Sequence, residues 1–233
     1  MRADRKTDAL YAHMRRRFGA ARARANGYRY EGYFIREQEV LLSLIDPNAR
    51  TLLDVACGSG LMLRPLLGAE RTVLGVDFNV DACAAASANG LAVVRGDAFK
   101  LPFASASLDQ IVTCQFFNQQ TPDGVGAFVV EAARLLTSGG QVVLVWRNGA
   151  AYIHRILHAC LTGLDRLRGV PEFPQVTHRF VDLRRVLASA GLEVLREEVS
   201  CPPLRWRSER IDGLPARLIG ASCIVVARKP LAQ

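Results

Sequence analysis

Three aspartates, each ending a short apolar run, are the residues best placed to do chemistry. Asp54 closes the run in TLLDVA, Asp77 ends TVLGVD and Asp97 ends AVVRGD. After Asp54 the side chains nearly vanish, through Ala56, Cys57, Gly58, Ser59 and Gly60. Gly58 and Gly60 permit backbone conformations and close approaches that a Cβ would block. The stretch is a relative of the glycine-rich dinucleotide fingerprint, without the full G-x-G-x-x-G spacing that a nicotinamide dehydrogenase would want. Asp77 follows Gly60 by 17 residues. An acid at that strand tip can accept both hydroxyls of a ribose. Asp97 can take an exocyclic amine while the N–H of Ala98 meets a ring nitrogen. Any one of the acids is equally able to cap a helix, and the small-residue bend alone is a tight turn. Three acids in register at the carboxyl edge of one sheet, where open α/β sheets bind ligands, point instead to a nucleoside-like molecule.

The elements that must position them alternate. Apolar runs at 51–56, 72–77, 92–97, 108–114 and 141–146 read as strands, and Leu61–Leu67, Val80–Ala88 and Gly124–Leu136 as helical patterns between them. That rhythm implies right-handed crossovers and a mostly parallel sheet, and the near-continuous apolar strands imply cover on both faces. Helical patterns also lie at 7–18, 27–45 and 150–167, and FVDLRRVLASAGLEV opens with another, stopped by Gly191. LEVLREEV and SCIVVARK close the chain as an antiparallel pair.

Bulk properties narrow the class. Of 233 residues, 50% are apolar, so a substantial core can form and native disorder is excluded. No apolar run reaches the roughly 18 residues of a membrane helix. The basic N-terminus lacks the apolar segment of a secretory signal, so a cytoplasmic location is expected. Net charge is +8, from 30 basic against 22 acidic residues. Without aromatics interleaved on a basic platform, this does not read as a nucleic-acid partner. A basic amphipathic N-terminus is compatible with peripheral contact at an anionic membrane surface. The six cysteines show neither CxxC nor metal-finger spacing and are expected as free, mostly buried thiols.

LLDVACGSG, VLGVDFN, VVRGDAFKLPF with SLDQIVTC, and EAARLLTSGGQVVLVWRN together resemble the class I S-adenosylmethionine-dependent methyltransferases, most closely the small-molecule branch that includes quinone methyltransferases. The resemblance is strong over roughly 50–148 and looser over 180–228. It departs at Ala56, where many relatives carry Gly. It implies an α/β, Rossmann-like class I methyltransferase fold: a mostly parallel seven-stranded sheet with an antiparallel last strand and helices on both faces. The organisation expected is an N-terminal helical cap at 1–46 and an S-adenosylmethionine-binding domain at 47–233. By resemblance, Asp54, Ala56, Gly58 and Gly60 line the methionine end of the cofactor. Asp77 holds the ribose, Phe78 packs on the adenine, and Asp97 and Ala98 contact its amine and ring. Cys114 and Gln115 face the sulfonium. Methyl transfer needs mainly an in-line approach, which orientation supplies.

The acceptor side is less determined. CQFFNQQTP (114–122) crowds three glutamines and an asparagine where a substrate would meet the methyl donor. They either bond a quinone or phenol oxygen, with Gln115 foremost, or form turns and cap the next helix. His154 and His158 lie one helical turn apart and are candidates for a general base or a metal ligand, or are simply solvated. Tyr28, Tyr30 and Tyr33 read as packing against the sheet in preference to a lid. Trp146, Arg147 and Asn148 point toward the ligand edge. The function expected is methyl transfer to a small, apolar acceptor such as a lipid-tailed quinone or a phenol. One alternative, from a resemblance to rhodoquinone biosynthesis proteins, is conversion of ubiquinone to its amino derivative with S-adenosylmethionine and a manganese ion. Another is a cofactor-binding protein that catalyses nothing.

Overall fold

A computed structural model describes residues 28, 31–68, 70–149, 151, 152, 156, 176–201, 207–209, 211 and 213–231. The elements in chain order are α1 (Glu31–Leu42), β1 (Thr51–Val55), β2 (Thr72–Asp77), α2 (Val80–Ala88), β3 (Ala92–Arg95), β4 (Leu108–Cys114), α3 (Pro122–Leu135), β5 (Leu136–Arg147), α4 (Phe180–Ser189), β6 (Glu193–Ser200), β7 (Arg207–Ser208), α5 (Leu214–Ile219) and β8 (Ser222–Arg228). Short 3₁₀ turns occupy Arg64–Leu66 and Phe116–Gln119.

One eight-stranded sheet runs in the order β3-β2-β1-β4-β5-β8-β6-β7. The strands β3, β2, β1, β4 and β5 pair in parallel, and β8 is antiparallel to both β5 and β6. The expected seven strands become eight because Arg207 and Ser208 add a two-residue edge strand on Val199 and Ser200. Strand order reverses between β1 and β4, and a crevice opens beyond the carboxyl ends of such a pair.

Alternation along each strand explains the continuous apolar runs. Leu53, Val55, Ile111, Val142, Leu144 and Trp146 enter a core beneath α3 and α4, with Phe128, Leu135 and Leu187. Leu52, Val112, Val143, Val145 and Ile224 face the other way, against Phe34, Val40, Leu41 and Leu44 from and just beyond α1, and Ala86 of α2. Both faces are covered, as a parallel sheet requires.

Local chemistry sets the ends. Asn79 and Thr121 cap α2 and α3, accepting from Ala82 N–H at 2.9 Å and Gly124 N–H at 3.2 Å. Gly191 follows α4 with φ 73°. The helical pattern at Leu61–Leu67 shortens to the 3₁₀ turn at Arg64–Leu66. Pro65 removes an N–H there, and only Leu66 and Leu67 close back on Leu63 and Arg64. Among the described residues no helix is long and apolar enough to cross a membrane. Cys57, Cys83, Cys114, Cys201 and Cys223 are free thiols.

Candidate active site at the carboxyl edge of the sheet

The bend after β1 is built by three departures into left-handed backbone, at every second residue. Ala56, Gly58 and Gly60 have φ 59°, 57° and 72°. At Ala56 this costs about 1–2 kcal/mol, strain of a kind that concentrates at functional sites. A Cβ on Gly60 would stand 3.0 Å from Leu91 Cδ2 and 3.1 Å from Ala86 Cβ, so this glycine lets the bend press onto α2.

The three aspartates occupy one rim. Asp54 is buried, 2% exposed, and its Oδ2 has no hydrogen-bond partner among the described residues. Burial, reinforced by the charge of Asp77, pushes its carboxyl up to about 8. Asp77 accepts the N–H of Gly58 at 2.9 Å on one oxygen and that of Asn79 at 2.9 Å on the other, tying the bend to the second strand. Asp77 pairs in register with Arg95, and the Gly96 N–H reaches the Asp77 carbonyl at 3.0 Å, so Asp97 follows one residue further along the same rim. The Asp97 carboxylate is exposed and accepts the N–H of Phe99 at 3.0 Å. Phe78 is 42% exposed, with the Arg95 guanidinium 5.7 Å from its ring centroid, and Ala98 packs partly buried against the core.

On the β4 side of the crevice stands a group that sequence reasoning missed. Glu37 of α1 is 1% exposed. One oxygen accepts Gln115 Nε2 at 2.6 Å and Ser222 Oγ at 2.7 Å; the other accepts the Tyr28 hydroxyl at 2.5 Å and the Cys114 thiol at 3.4 Å. Four donors fill the acceptor capacity of a carboxylate. Tyr33 extends the cluster through a 2.9 Å bond to Ser222 Oγ. The tyrosine rings do pack, Tyr28 lying 5.1 Å edge-on to Phe34, but their hydroxyls serve the carboxylate. Tyr30 lies outside the described residues. One signal was legible: Glu37 shares the stripe of Phe34, Leu41 and Leu44, an acid on an otherwise apolar face.

Burial raises the Tyr28 and Tyr33 phenols well above their ordinary range, and the Glu37 charge adds to it. Burial and then the Glu37 charge do the same to Cys114, which therefore stays a thiol. Cys114 also feels the charge of Asp54, which pairs in register with Val112 two residues earlier on the same strand.

The amide-rich segment is pinned from several sides. Gln115 takes a left-handed conformation, φ 64°, directly after β4. Its side chain reaches Glu37 and receives Asn118 Nδ2. Asn118 Oδ1 holds the Arg147 N–H at 2.9 Å. Capping of α3 falls to Thr121, so Gln115 and Asn118 are committed to the carboxylate network. Arg147 Nε is buried with no partner among the described residues. His154 and His158 lie outside the described residues. Among those described, no group of three or more His, Cys, Asp or Glu side chains is placed to hold a metal ion.

The arrangement fits a cationic nucleoside. The Asp54 oxygen without a partner among the described residues suits an ammonium or sulfonium group, and the bend beside it is made of the small residues Ala56 to Gly60. Residues 53–144 match the family model described as a methyltransferase domain. Over these residues the chain is similar to methyltransferase domains. It is 29% identical over 170 residues to the ubiquinone biosynthesis O-methyltransferase of Aromatoleum aromaticum, covering 65% of this chain and 69% of that protein. To the demethylmenaquinone methyltransferase of Staphylococcus aureus strain MRSA252 it is 37% identical over 122 residues, covering 49% of this chain and half of that protein's length. A solved S-adenosylmethionine-dependent methyltransferase from Thermotoga maritima superposes with a TM-score of 0.67 at 17% identity, over 95% of this chain and 97% of that one, a likeness of fold.

Proposed function

We propose that the protein transfers a methyl group from S-adenosylmethionine to a small, apolar acceptor of the quinone or phenol class. The observation that carries this is the pair of buried carboxylates on adjoining elements, Asp54 in register with Val112 of β4 and Glu37 bonded to Cys114 at the end of that strand. Asp54, with Ala56, Gly58 and Gly60, holds the methionine end; Asp77 the ribose; Phe78, Asp97 and Ala98 the adenine; Cys114 and Gln115 border the sulfonium. When bound, the cofactor supplies an electrophilic methyl on a good leaving group. The chain's part is to orient the acceptor in line with it and exclude water. The likeness to quinone methyltransferases supports the acceptor class. A cytoplasmic enzyme reaching a lipid-tailed quinone by peripheral membrane contact through its basic N-terminus fits this assignment.

Two variants of the reading use the same site. Amination of ubiquinone, the alternative implied by the resemblance of the CQFFNQQ and DVACGSG segments, is the first. The described residues do not assemble a donor set for the manganese it calls for, so no step is routed through a metal. A protein that binds the cofactor without catalysis is the other variant. Mass spectrometry of quinones and small lipids from cells with and without the protein separates them: gain of one methyl supports the proposal, exchange of methoxy for amino the amination, and no change the binding module.

Two outcomes follow for the cofactor site. Asp77→Ala removes charge-assisted bonds to ribose and bend, and is expected to weaken S-adenosylhomocysteine by about 1.5–3 kcal/mol, roughly ten- to hundredfold. Unchanged calorimetric affinity would count against the ribose role. Asp54 makes binding pH-dependent. The unfolded chain releases this proton near the ordinary value of 3.8 and the folded chain only near 8, so stability of the free protein falls as pH rises between the two. The ammonium group of the ligand's amino-acid end draws the proton off, so affinity for S-adenosylhomocysteine should rise from pH 6 to pH 8, approaching about tenfold per unit. Proton release, read from calorimetry in buffers of different ionisation enthalpy, should disappear in Asp54→Asn. A flat profile in the unmodified protein would remove Asp54 from the ligand.

A further inference from the structure

A buried carboxylate whose donors are all neutral needs a reason. The four groups on Glu37 come from Tyr28, Cys114, Gln115 and Ser222, brought from as far as 185 residues away. Hydrogen counting orders the branch toward Tyr33. Ser222 has one hydroxyl hydrogen and donates it to Glu37, so in the Tyr33–Ser222 bond Tyr33 is the donor. The Tyr33 oxygen is then left with lone pairs; the phenol itself is desolvated, while the residue as a whole is half-buried. The charged groups whose fields reach this cluster are Asp54, acting on Cys114, and Arg147, acting on Tyr33. Arg147, whose Nε is buried without a partner among the described residues, pairs in register with Ser222 at the same corner.

We propose that Glu37 takes up the hydroxyl proton of a phenolic or hydroquinone acceptor, relayed through Tyr33 and Ser222. The inference rests on the acceptor class given above and adds that the methylated atom is oxygen. The acceptor O–H donates to the Tyr33 oxygen. As the acceptor oxygen bonds the methyl carbon, the carbon–sulfur bond breaks with its electron pair going to sulfur. The acceptor proton moves to Tyr33, the Tyr33 proton to Ser222 and the Ser222 proton to Glu37. The products are a methyl ether, S-adenosylhomocysteine and a protonated Glu37, which returns its proton to solvent once the product leaves. Glu37 acts through two intervening groups, so it is a positioning and proton-holding residue; Tyr33 meets the acceptor. Gln115, Tyr28 and Cys114 keep the carboxylate in place throughout.

The test uses the full chain with S-adenosylhomocysteine bound and 4-nitrocatechol as the probe, read by its phenolate absorption. At a pH where the free probe is mostly neutral, the bound probe should be ionised. In Glu37→Gln and in Tyr33→Phe it should bind but stay mostly neutral, its phenolate-to-phenol ratio falling about tenfold or more, the size of one pKa unit. Tyr33→Phe keeps the ring that packs on Tyr28, so it carries the test if Glu37→Gln does not fold. Equal ionisation in the unmodified protein and in Tyr33→Phe overturns the relay and leaves the acceptor class standing. Failure of the probe to bind, while S-adenosylhomocysteine titrates normally, overturns the acceptor class and the relay with it.

Discussion

Gly58→Val is expected to abolish measurable binding of S-adenosylhomocysteine in a protein that still folds. At φ 57° a β-branched residue is a true outlier, so the backbone must either bear the strain or turn over. Turning over pulls the Gly58 N–H off Asp77, which now holds it at 2.9 Å. Bearing the strain places two methyl groups where the ligand's methionine end is assigned. Both outcomes damage the same site. The loss should exceed about a hundredfold, against a smaller loss for Gly58→Ala, which adds one carbon. Calorimetry reads the affinity and circular dichroism the fold. A normal titration by Gly58→Val would move the ligand away from this bend.

The largest stability effect is expected at Phe117. It is 1% exposed at the centre of an aromatic cluster: Phe128 edge-on at 5.6 Å, Phe116 at 6.0 Å, His178 at 6.1 Å and Trp146 at 6.5 Å. Its carbonyl receives the ring N–H of His178 at 2.9 Å, and the Asn118 carbonyl receives the Val176 N–H at 2.6 Å. The turn that carries Gln115 and Asn118 is therefore anchored by this ring. Phe117→Ala removes the ring contacts and leaves a cavity, costing about 3–5 kcal/mol. In a chain of this size that lowers Tm by about 6–20 °C. Urea unfolding checks it, and a loss under about 1 kcal/mol would mean the segment is held by its hydrogen bonds alone.

The parallel half of the sheet was legible because its strands are buried on both faces and therefore apolar at nearly every position, with an acid or a small residue marking each exit. The rim of Asp54, Asp77 and Asp97 was legible for the same reason. The antiparallel pairing of β6 with β8 was also readable, but the edge strand at Arg207–Ser208 was not: two residues in a polar connection carry no periodicity. The pattern at Leu61–Leu67 misled because its apolar spacing is helical while Pro65 denies the turn its hydrogen bond. Glu37 escaped because the partners that make its burial tolerable lie 78 residues away at Gln115 and 185 at Ser222. Nothing local distinguishes such an acid from a solvated one, except its place on the apolar stripe of α1. Tyr28 and Tyr33 were read as packing residues for a related reason: ring and hydroxyl do separate jobs, and only the ring leaves a trace in hydropathy.

The central claim is that the cofactor crevice and the Glu37 cluster form one site for methyl transfer to an oxygen. Incubating the purified chain with S-adenosylmethionine carrying a deuterated methyl group and a quinol-containing lipid extract tests it most directly. The account predicts a trideuteromethyl ether on a quinone-class lipid, with S-adenosylhomocysteine formed in equal amount. Cofactor that binds yet leaves its label on no acceptor, or a label found on carbon, would contradict it.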